Sequence, residues 1–181
     1  SDLPFGWNLP NWLLRRELMA QTETLDTVTF RQGVGTKRIL ARNAQGLVTL
    51  TDGSAITAQL IIAADGRNSP IREIAGIGVK TWRYGQKGMV FSVSHTKPHE
   101  NVSTEIHRTG GPFTLVPLPD YDGSPQSAIV WMETGPETAR LMDLSDTNFA
   151  REATTRSCGI VGPLTLTSQR AVWPIISQKA D

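Results

Sequence analysis

The fold is decided by one stretch of sequence, Leu60-Ile61-Ile62-Ala63-Ala64-Asp65-Gly66-Arg67-Asn68-Ser69-Pro70-Ile71-Arg72. Its first half is apolar on both faces, which predicts that a strand over 56–64 is buried on both sides. Gly66 allows a sharp turn with positive φ, and Ser69 and Pro70 are typical of the N-cap and first position of a helix. The stretch therefore predicts a strand, a glycine turn and a helix N-terminus.

The helix N-terminus in this stretch has two interpretations. Free N–H groups at a helix N-terminus attract anions, and Arg67 and Arg72 add positive charge there. The first interpretation is a site for a phosphate-bearing or ribityl-bearing cofactor beside the Asp65 carboxylate. The second, which the local pattern alone favours, is an ordinary strand-to-helix turn with a solvated arginine.

Upstream of the stretch, apolar side chains at three- and four-residue spacing predict an amphipathic helix over 10–21. Alternating segments then predict short strands over 27–30, 37–42 and 47–51. The last of these is followed by Asp52-Gly53, a pair typical of a hairpin turn.

Downstream of the stretch, alternating segments predict further strands over 84–93, 102–108, 113–118, 128–132 and 164–174. A capping-box pattern from Thr134 to Glu137 predicts a helix over 136–143, and a second helix is predicted over 146–157. The fold class is therefore α+β, with a mostly antiparallel mixed β-sheet and a few covering helices.

Composition excludes several classes of protein. The chain has 181 residues with 18 basic and 17 acidic side chains, and a net charge of +1 excludes a polybasic nucleic-acid binder. One cysteine, Cys158, excludes an internal disulfide, and we expect it to be buried and inert. The histidines at 95, 99 and 107 have no cysteine partners, so no metal site is predicted. No apolar run approaches the roughly 18 residues of a membrane span, and a cytoplasmic location is expected.

A second set of residues, combined with the Asp-Gly stretch, points to one family of proteins. It consists of Phe5-Gly6-Trp7, Asn11, Leu14 to Leu18, Ala75-Gly76-Ile77, Trp82, Tyr84, Gln86, Pro98-His99, Glu105, Gly111-Pro112, Leu115 to Leu118, Ser127 to Trp131, Leu141 to Phe149, and Arg170 with Pro174. With Asp65-Gly66, and in this order, these residues resemble the FAD-dependent aromatic hydroxylases of ubiquinone biosynthesis, the 2-polyprenylphenol hydroxylases. The resemblance covers nearly the whole chain, and it implies the fold of the substrate domain of these enzymes.

The resemblance also implies contacts residue by residue. The implied cofactor-binding residues are Asp65, Gly66, Arg67, Ser69 and Arg72 in the motif, together with Asn11 and Arg15 upstream. Pro117 and Leu118 match a loop close to the ring system and are implied to bind substrate. Arg72 has a structural alternative, in which it pairs with Asp65 or caps a strand. No catalytic residue is assigned.

The implied activity is that of a monooxygenase that uses FAD and NAD(P)H to hydroxylate the aromatic ring of a polyprenylphenol precursor of ubiquinone. The family's Gly-x-Gly-x-x-Gly turn and its later Gly-Asp motif are absent from the sequence, so we expect an internal fragment of such an enzyme. Within it, residues 1–76 would border the FAD domain and residues 77–181 would form the substrate-domain sheet. For a prenyl tail, the candidate apolar residues are Val90, Phe91, Val93, Phe113 and Leu115, although a core role is favoured for each.

Alone, the fragment is expected to be inactive, to retain no FAD and to self-associate through Trp12, Trp82 and the strand over 113–118. The implied partners are a polyprenylphenol and, for the whole protein, a biosynthetic complex or the periphery of the inner membrane, but no nucleic acid.

Two alternative functions stay open. One is a non-catalytic module that binds a lipid or an enzyme partner, which binding of a polyprenylphenol without flavin would favour. The other is a structural subunit of a biosynthetic complex, which capture of partner enzymes would favour.

Overall fold

The structure of this protein is a computed structural model that describes residues 6–181. The chain forms two compact units. The turn unit comprises residues 9–82 and 177–181, and the sheet unit comprises residues 83–176 with the described residues 6–8. That residues 1–76 border an FAD domain and residues 77–181 form the substrate-domain sheet stays a prediction.

The turn unit contains two helices and a three-stranded antiparallel sheet. Its elements are α1 (Asn11–Glu23), β1 (Thr36–Ala41), β2 (Gly46–Leu50), β3 (Ala55–Ala58) and α2 (Pro70–Ile74). Strand β2 lies in the middle and pairs with β1 and β3. The predicted helix at the start of the chain, the two strands that became β1 and β2, and the hairpin turn at Asp52-Gly53 are confirmed, with Gly53 at φ +87°.

Two strands predicted in this unit are wrong. Residues 27–30 form turns and irregular backbone, and among the described residues no strand pairs with them. Strand β3 ends at Ala58, so the predicted strand over 56–64 stops early, and Leu60 and Ile62 are 74% and 78% exposed. A strand that is apolar on both faces needs neighbouring strands and covering layers, which residues 6–181 do not supply there. Ile61 packs closely against Gly46. A Cβ added at Gly46 would lie 2.5 Å from the Ile61 Cδ1 atom.

The sheet unit is built on a six-stranded sheet. The remaining elements are β4 (Val79–His95), β5 (Thr104–Arg108), β6 (Gly111–Tyr121), β7 (Ser124–Thr134), α3 (Gly135–Met142), α4 (Asp146–Arg156), β8 (Leu164–Leu166) and β9 (Ala171–Ala180). The strand order is β5-β6-β7-β4-β8, with β9 also paired to β4. The pairs along this order are antiparallel. The α+β fold class, with a mostly antiparallel sheet and few helices, is confirmed.

One face of this sheet carries the core of the unit. Alternate residues of β4, β6 and β7 point into it, and side chains of α3 and α4 cover them: Phe91, Val93, Phe113, Leu115, Ile129, Trp131, Leu141, Phe149 and Ala153 are all buried. The period of two along each strand explains this one-sided burial. The core role favoured for Phe91, Val93, Phe113 and Leu115 is confirmed, so these side chains are not free to line a prenyl channel. For Val90 the core role is wrong, because this side chain lies on the opposite face of the sheet and is 36% exposed.

Two local predictions in the sheet unit need correction. Thr134 is the N-cap residue of α3, but its side chain makes no capping hydrogen bond, so no capping box forms. Its carbonyl accepts from the Thr138 hydroxyl at 2.9 Å. The predicted strand over 164–174 is two strands, β8 and β9. They are separated at Arg170, whose guanidinium turns inward and donates to the carbonyl oxygens of Leu141 and Leu144. These carbonyls lie at the end of α3, where a helix lacks its own donors.

The prediction for Cys158 is also wrong, since this cysteine is exposed. It follows the end of α4 in the left-handed region, at φ +56°. Its Sγ accepts a hydrogen bond from the Arg108 guanidinium at 2.9 Å. The reversal of the chain after α4 therefore turns this side chain away from the core.

Candidate functional site

The Asp-Gly turn takes the shape that the sequence predicts. Gly66 has φ +90°, and no heavy atom of the protein lies within 4 Å of the position that a Cβ would occupy. Ser69 is the N-cap of α2 and Pro70 its first residue, as predicted. The Asp65 carboxylate is exposed and folds back over this helix, where Oδ1 accepts from the Ser69 hydroxyl and Oδ2 accepts from the Ile71 N–H at 3.1 Å.

The N-terminus of α2 has no donor to offer an anion. The first residue is a proline and has no N–H, and the Ile71 N–H donates to Asp65. The Arg72 N–H donates to the Ser69 Oγ at 3.0 Å, and the Glu73 N–H is directed at the Ser69 carbonyl at 3.4 Å. The chain therefore satisfies this helix end internally, which favours the second interpretation, an ordinary strand-to-helix turn. The cofactor site stays a prediction.

The two arginines of the motif differ in role. Arg72 is half-buried, and its Nη1 donates to the carbonyl oxygen of Arg67 at 3.0 Å, which ties the two sides of the turn together. This contact supports the structural alternative for Arg72, although it reaches backbone rather than Asp65. Arg67 itself is exposed.

The Asp65 carboxylate is held in its ionised form. The hydrogen bond from Ser69 lowers the pKa of Asp65 below its usual value, with further lowering from the Ile71 N–H and from the charge of Arg72, while partial desolvation opposes them. An ionised carboxylate only accepts hydrogen bonds. The turn therefore presents an ionised acceptor beside the open space at Gly66.

Asn11 and Arg15 lie four residues apart on α1, so both project from the same side of that helix. Both are exposed. They belong to the turn unit, as the Asp-Gly turn does. The structure thus brings all the predicted cofactor-binding residues into one unit, while within the described chain no hydrogen bond joins Asn11 or Arg15 to the turn.

Pro117 and Leu118 belong to the sheet unit, where they lie near the end of β6. They border a surface cavity of about 390 Å³ whose other lining residues are Gly6, Trp7, Asn8, Asn101 and Pro119. The sequence did not assign Trp7, Asn8 or Asn101 to a site, because they lie far from Pro117 along the chain. The available signals were the resemblance at Gly6-Trp7 and the Pro98-His99 pair close to Asn101.

The face of the sheet opposite the core carries short apolar and hydroxyl side chains that are half-buried or exposed. We call it the open face and define it by Val90, Ser92, Thr114, Val116, Ala128 and Val130. The strand register sets these residues in two rows across β4, β7 and β6. Val90, Val130 and Thr114 form the first row, and Ser92, Ala128 and Val116 form the second. At the margin of the first row the Thr114 hydroxyl lies 3.3 Å from a carboxylate oxygen of Glu105.

Among residues 6–181 there is no group of three or more potential metal ligands. His95 is buried, His99 is half-buried, and their rings meet edge to face with centroids 5.9 Å apart. His107 is exposed and lies against Glu105 on β5. The histidines thus form hydrogen bonds and ring contacts within the protein.

The chain is similar in sequence to curated hydroxylases along most of its length. A 33% identity over 150 residues relates it to a ubiquinone hydroxylase, UbiL, of Rhodospirillum rubrum, covering 82% of this chain and 34% of that protein. The 3-demethoxyubiquinol 3-hydroxylase of Escherichia coli is 30% identical over 146 residues, which cover 81% of this chain and 36% of that enzyme. The chain therefore spans about a third of the length of these curated relatives.

Solved structures show the same fold at lower identity. PqsL of Pseudomonas aeruginosa, in complex with 2-aminobenzoylacetate, superposes with a TM-score of 0.70 at 19% identity, over 90% of this chain and 46% of that one. The flavin-dependent monooxygenase PieE, in complex with FAD and substrate, gives a TM-score of 0.63 at 16% identity, over 96% of this chain and 31% of that one.

The resemblance found in the sequence is confirmed at the level of the family, and FAD is the cofactor of that family. The match extends from residue 7 to residue 181, so it includes α1, the Asp-Gly turn and the whole sheet. Over these residues, the chain belongs to the FAD binding domain family.

Proposed function

We propose that the whole protein containing this chain is a monooxygenase that uses FAD and NAD(P)H to hydroxylate the aromatic ring of a polyprenylphenol precursor of ubiquinone. The names of the relatives support the reaction class and the substrate class. The observation in the structure that carries the proposal is the open face of the sheet. This face is accessible and largely apolar, whereas the opposite face is a closed core.

The chemistry of the open face suits a phenol with an apolar tail. Valine and alanine side chains offer contact area to an apolar ligand, and short side chains leave the sheet surface accessible. Ser92 and Thr114 add hydroxyl groups that can hydrogen-bond a ring substituent. The two rows themselves carry no charged side chain, and the carboxylate of Glu105 lies at their margin, beside Thr114.

The turn unit would hold part of the cofactor. FAD, when bound, supplies the electron transfer and the oxygen chemistry. Asp65 would accept hydrogen bonds from cofactor hydroxyl groups, and Gly66 would let a ligand approach the backbone. Arg67, Asn11 and Arg15 are exposed and available as further polar contacts. Ser69 and Arg72 would support Asp65 and the turn rather than bind the cofactor directly, because both are engaged within the protein.

Flavin retention gives a first test of this division of roles. The isolated chain should purify without stoichiometric flavin, because its sequence lacks the Gly-x-Gly-x-x-Gly turn and helix N-terminus that would hold the cofactor's pyrophosphate. The measurement is visible flavin absorbance per protein after gel filtration with added FAD. The whole protein, treated in the same way, is the control and should retain the cofactor. An isolated chain with one flavin per molecule would contradict the expectation.

The open face gives a second test, in the whole protein. Val130→Glu should lower kcat/KM for a polyprenylphenol about tenfold or more, since it sets a charge against the apolar part of the substrate. The assay follows substrate-dependent NAD(P)H oxidation and the appearance of product heavier by one oxygen atom. Protein stability should change little, because Val130 is half-buried on the open face.

Ile129 provides a matched control for Val130, since it is the neighbouring residue on the core face and is fully buried. Ile129→Glu should prevent folding of the sheet unit. Unchanged kcat/KM in Val130→Glu would refute a substrate role for the open face. Tight binding of a polyprenylphenol to a whole protein that neither binds FAD nor oxidises NAD(P)H would favour the alternative, a non-catalytic lipid-binding module.

The location of the protein follows from its substrate in this proposal. Within residues 6–181, no helix has the length and apolar character needed to cross a bilayer. A polyprenylphenol is itself a membrane lipid, so we propose that the whole protein works at the membrane surface from the cytoplasmic side, beside other enzymes of the same biosynthesis.

Self-association of the chain stays a prediction. Trp12 and Trp82 are exposed, but Phe113 and Leu115 are buried and cannot serve as contacts.

A further inference from the structure

The turn between β4 and β5 holds two successive non-glycine residues in the left-handed region. Glu100 has φ +51° and Asn101 has φ +57°. Asparagine tolerates this conformation, but a glutamate seldom adopts it, so the surrounding contacts must hold the turn in place. The Val102 N–H closes the turn by donating to the His99 carbonyl at 2.9 Å.

The side chain of His99 joins this turn to the end of β6. Its Nδ1 accepts from the Asn101 N–H at 3.0 Å, and its Nε2 donates to the Leu118 carbonyl at 3.1 Å. A backbone N–H can only donate and a carbonyl can only accept, so the partners assign the ring hydrogen to Nε2. The imidazole therefore bridges two backbone segments that are about twenty residues apart in sequence.

The segment that receives this bridge has few other hydrogen bonds available. Leu118 lies between Pro117 and Pro119, and neither proline has an N–H to donate to a neighbouring strand. The pairing of β6 with β7 also shifts register between Leu118 and Tyr121. Together, Asn101 and the segment 117–119 border the cavity of about 390 Å³. The two ends of the His99 bridge thus lie at residues that line one cavity.

The ring of His99 also packs against the ring of a buried residue, His95. It packs edge to face on the ring of His95, at an interplanar angle of 71°. His95 is buried and fixed at both nitrogens, with Nδ1 2.8 Å from the Lys97 carbonyl and Nε2 3.0 Å from the Ser127 hydroxyl. Glu100 and Asp120 are the charged side chains that border the small cavity beside His99, and both are exposed.

We propose that His99 is a positioning residue that sets the place of the segment 117–119 and, through it, the affinity of the protein for its aromatic substrate. The second clause rests on the proposed function and on the substrate-binding role that the family resemblance implies for Pro117 and Leu118. The imidazole does not take part in the reaction. Its loss should therefore change KM much more than kcat.

The experiment separates the two hydrogen bonds of the bridge. His99→Gln keeps an N–H donor that can reach the Leu118 carbonyl, whereas His99→Asn keeps an acceptor near Asn101 but is too short for Leu118. In the whole protein, with a polyprenylphenol as substrate, His99→Ala and His99→Asn should raise KM about tenfold and change kcat less than about twofold. His99→Gln should restore most of the lost affinity.

Amide hydrogen exchange of the isolated chain is the second readout and needs no cofactor. Exchange at Asn101 should accelerate in His99→Ala and His99→Gln and stay slow in His99→Asn. His107→Ala is the matched control, since this exposed histidine on β5 contacts only Glu105 among the contacts described. It should alter neither readout.

The outcomes distinguish this proposal from the proposed function. Unchanged KM in His99→Ala, in a whole protein that hydroxylates the substrate, would overturn the positioning role and leave the function intact. A parallel fall in kcat in all His99 variants, without rescue by glutamine, would show general loss of structure and would also overturn it. A wild-type whole protein that retains FAD but hydroxylates no polyprenylphenol would refute the proposed function and, with it, the substrate clause. Slow exchange at Asn101 in His99→Ala would refute the bridge itself.

Discussion

Phe149→Ala should lower the free energy of unfolding of the sheet unit by about 3–5 kcal/mol. The Phe149 ring is fully buried and meets the ring of Phe91 edge to face at a centroid distance of 4.9 Å. It also lies 5.8 Å from the ring of Trp131, and the Arg170 guanidinium stacks over it at 4.7 Å. Truncation therefore leaves a cavity where α4 meets the sheet and removes the surface on which Arg170 packs.

Urea unfolding of the isolated chain, followed by circular dichroism and tryptophan fluorescence, measures this loss. A single domain has about 5–15 kcal/mol of stability in total, so the variant should be close to unfolded at room temperature. Tyr121→Ala is the control, because this aromatic side chain is 74% exposed and its loss should cost less than about 0.5 kcal/mol. A loss below about 1 kcal/mol in Phe149→Ala would mean that α4 does not pack on the sheet as described.

Asp65→Ala should weaken FAD binding to the whole protein at least about tenfold, because it removes an ionised acceptor and leaves the Ser69 hydroxyl and the Ile71 N–H without their partner. The measurements are flavin content after purification and the dissociation constant for FAD. Asp65→Asn, which keeps the shape and one acceptor oxygen, should fall between the wild type and the alanine variant. Unchanged flavin content in both variants would show that Asp65 only shapes the turn.

The chain contains a matched control for Asp65. Asp52 also precedes a glycine with positive φ, and its carboxylate likewise accepts from a nearby serine, Ser54, through both hydroxyl and backbone N–H. It also forms an ion pair with Arg31 at 2.6 Å. Asp52→Ala should destabilise its own hairpin and leave flavin binding unchanged. A similar loss of flavin in both variants would indicate general damage to the turn unit.

The pH dependence of flavin binding checks the same residue. The hydrogen bond from Ser69 lowers the pKa of Asp65 in the folded protein, so the folded-state value lies below the unfolded one. The contribution of this carboxylate is therefore complete above the unfolded value and is lost as the pH falls through the folded one. Flavin retention that depends on Asp65 should stay constant at neutral pH and decline only below about pH 4. A decline centred near neutral pH would point to a different group.

The sequence was sufficient where structure depends on neighbouring residues. The positive φ of Gly66, the start of α2 at Ser69-Pro70 and the antiparallel strands on both sides all follow from local preferences and from the period of two. The family followed as well, because its motifs occur in order along the chain. Prediction failed at residues 60–64 for a related reason, since an apolar run becomes a buried strand only when other strands and layers surround it.

The tertiary structure decided how these elements are used. Sequence alternation shows that a strand has two faces, but only the packing of α3 and α4 determined that Phe91 and Ile129 lie in the core while Val90 and Val130 stay accessible. The carboxylate of Asp65 and the N-terminus of α2 are close in sequence, yet only the folded turn showed that they hydrogen-bond to each other. The His99 bridge joins residues nineteen positions apart. Long-range contacts of this kind arise when the chain folds back on itself, and no local pattern of residues encodes them.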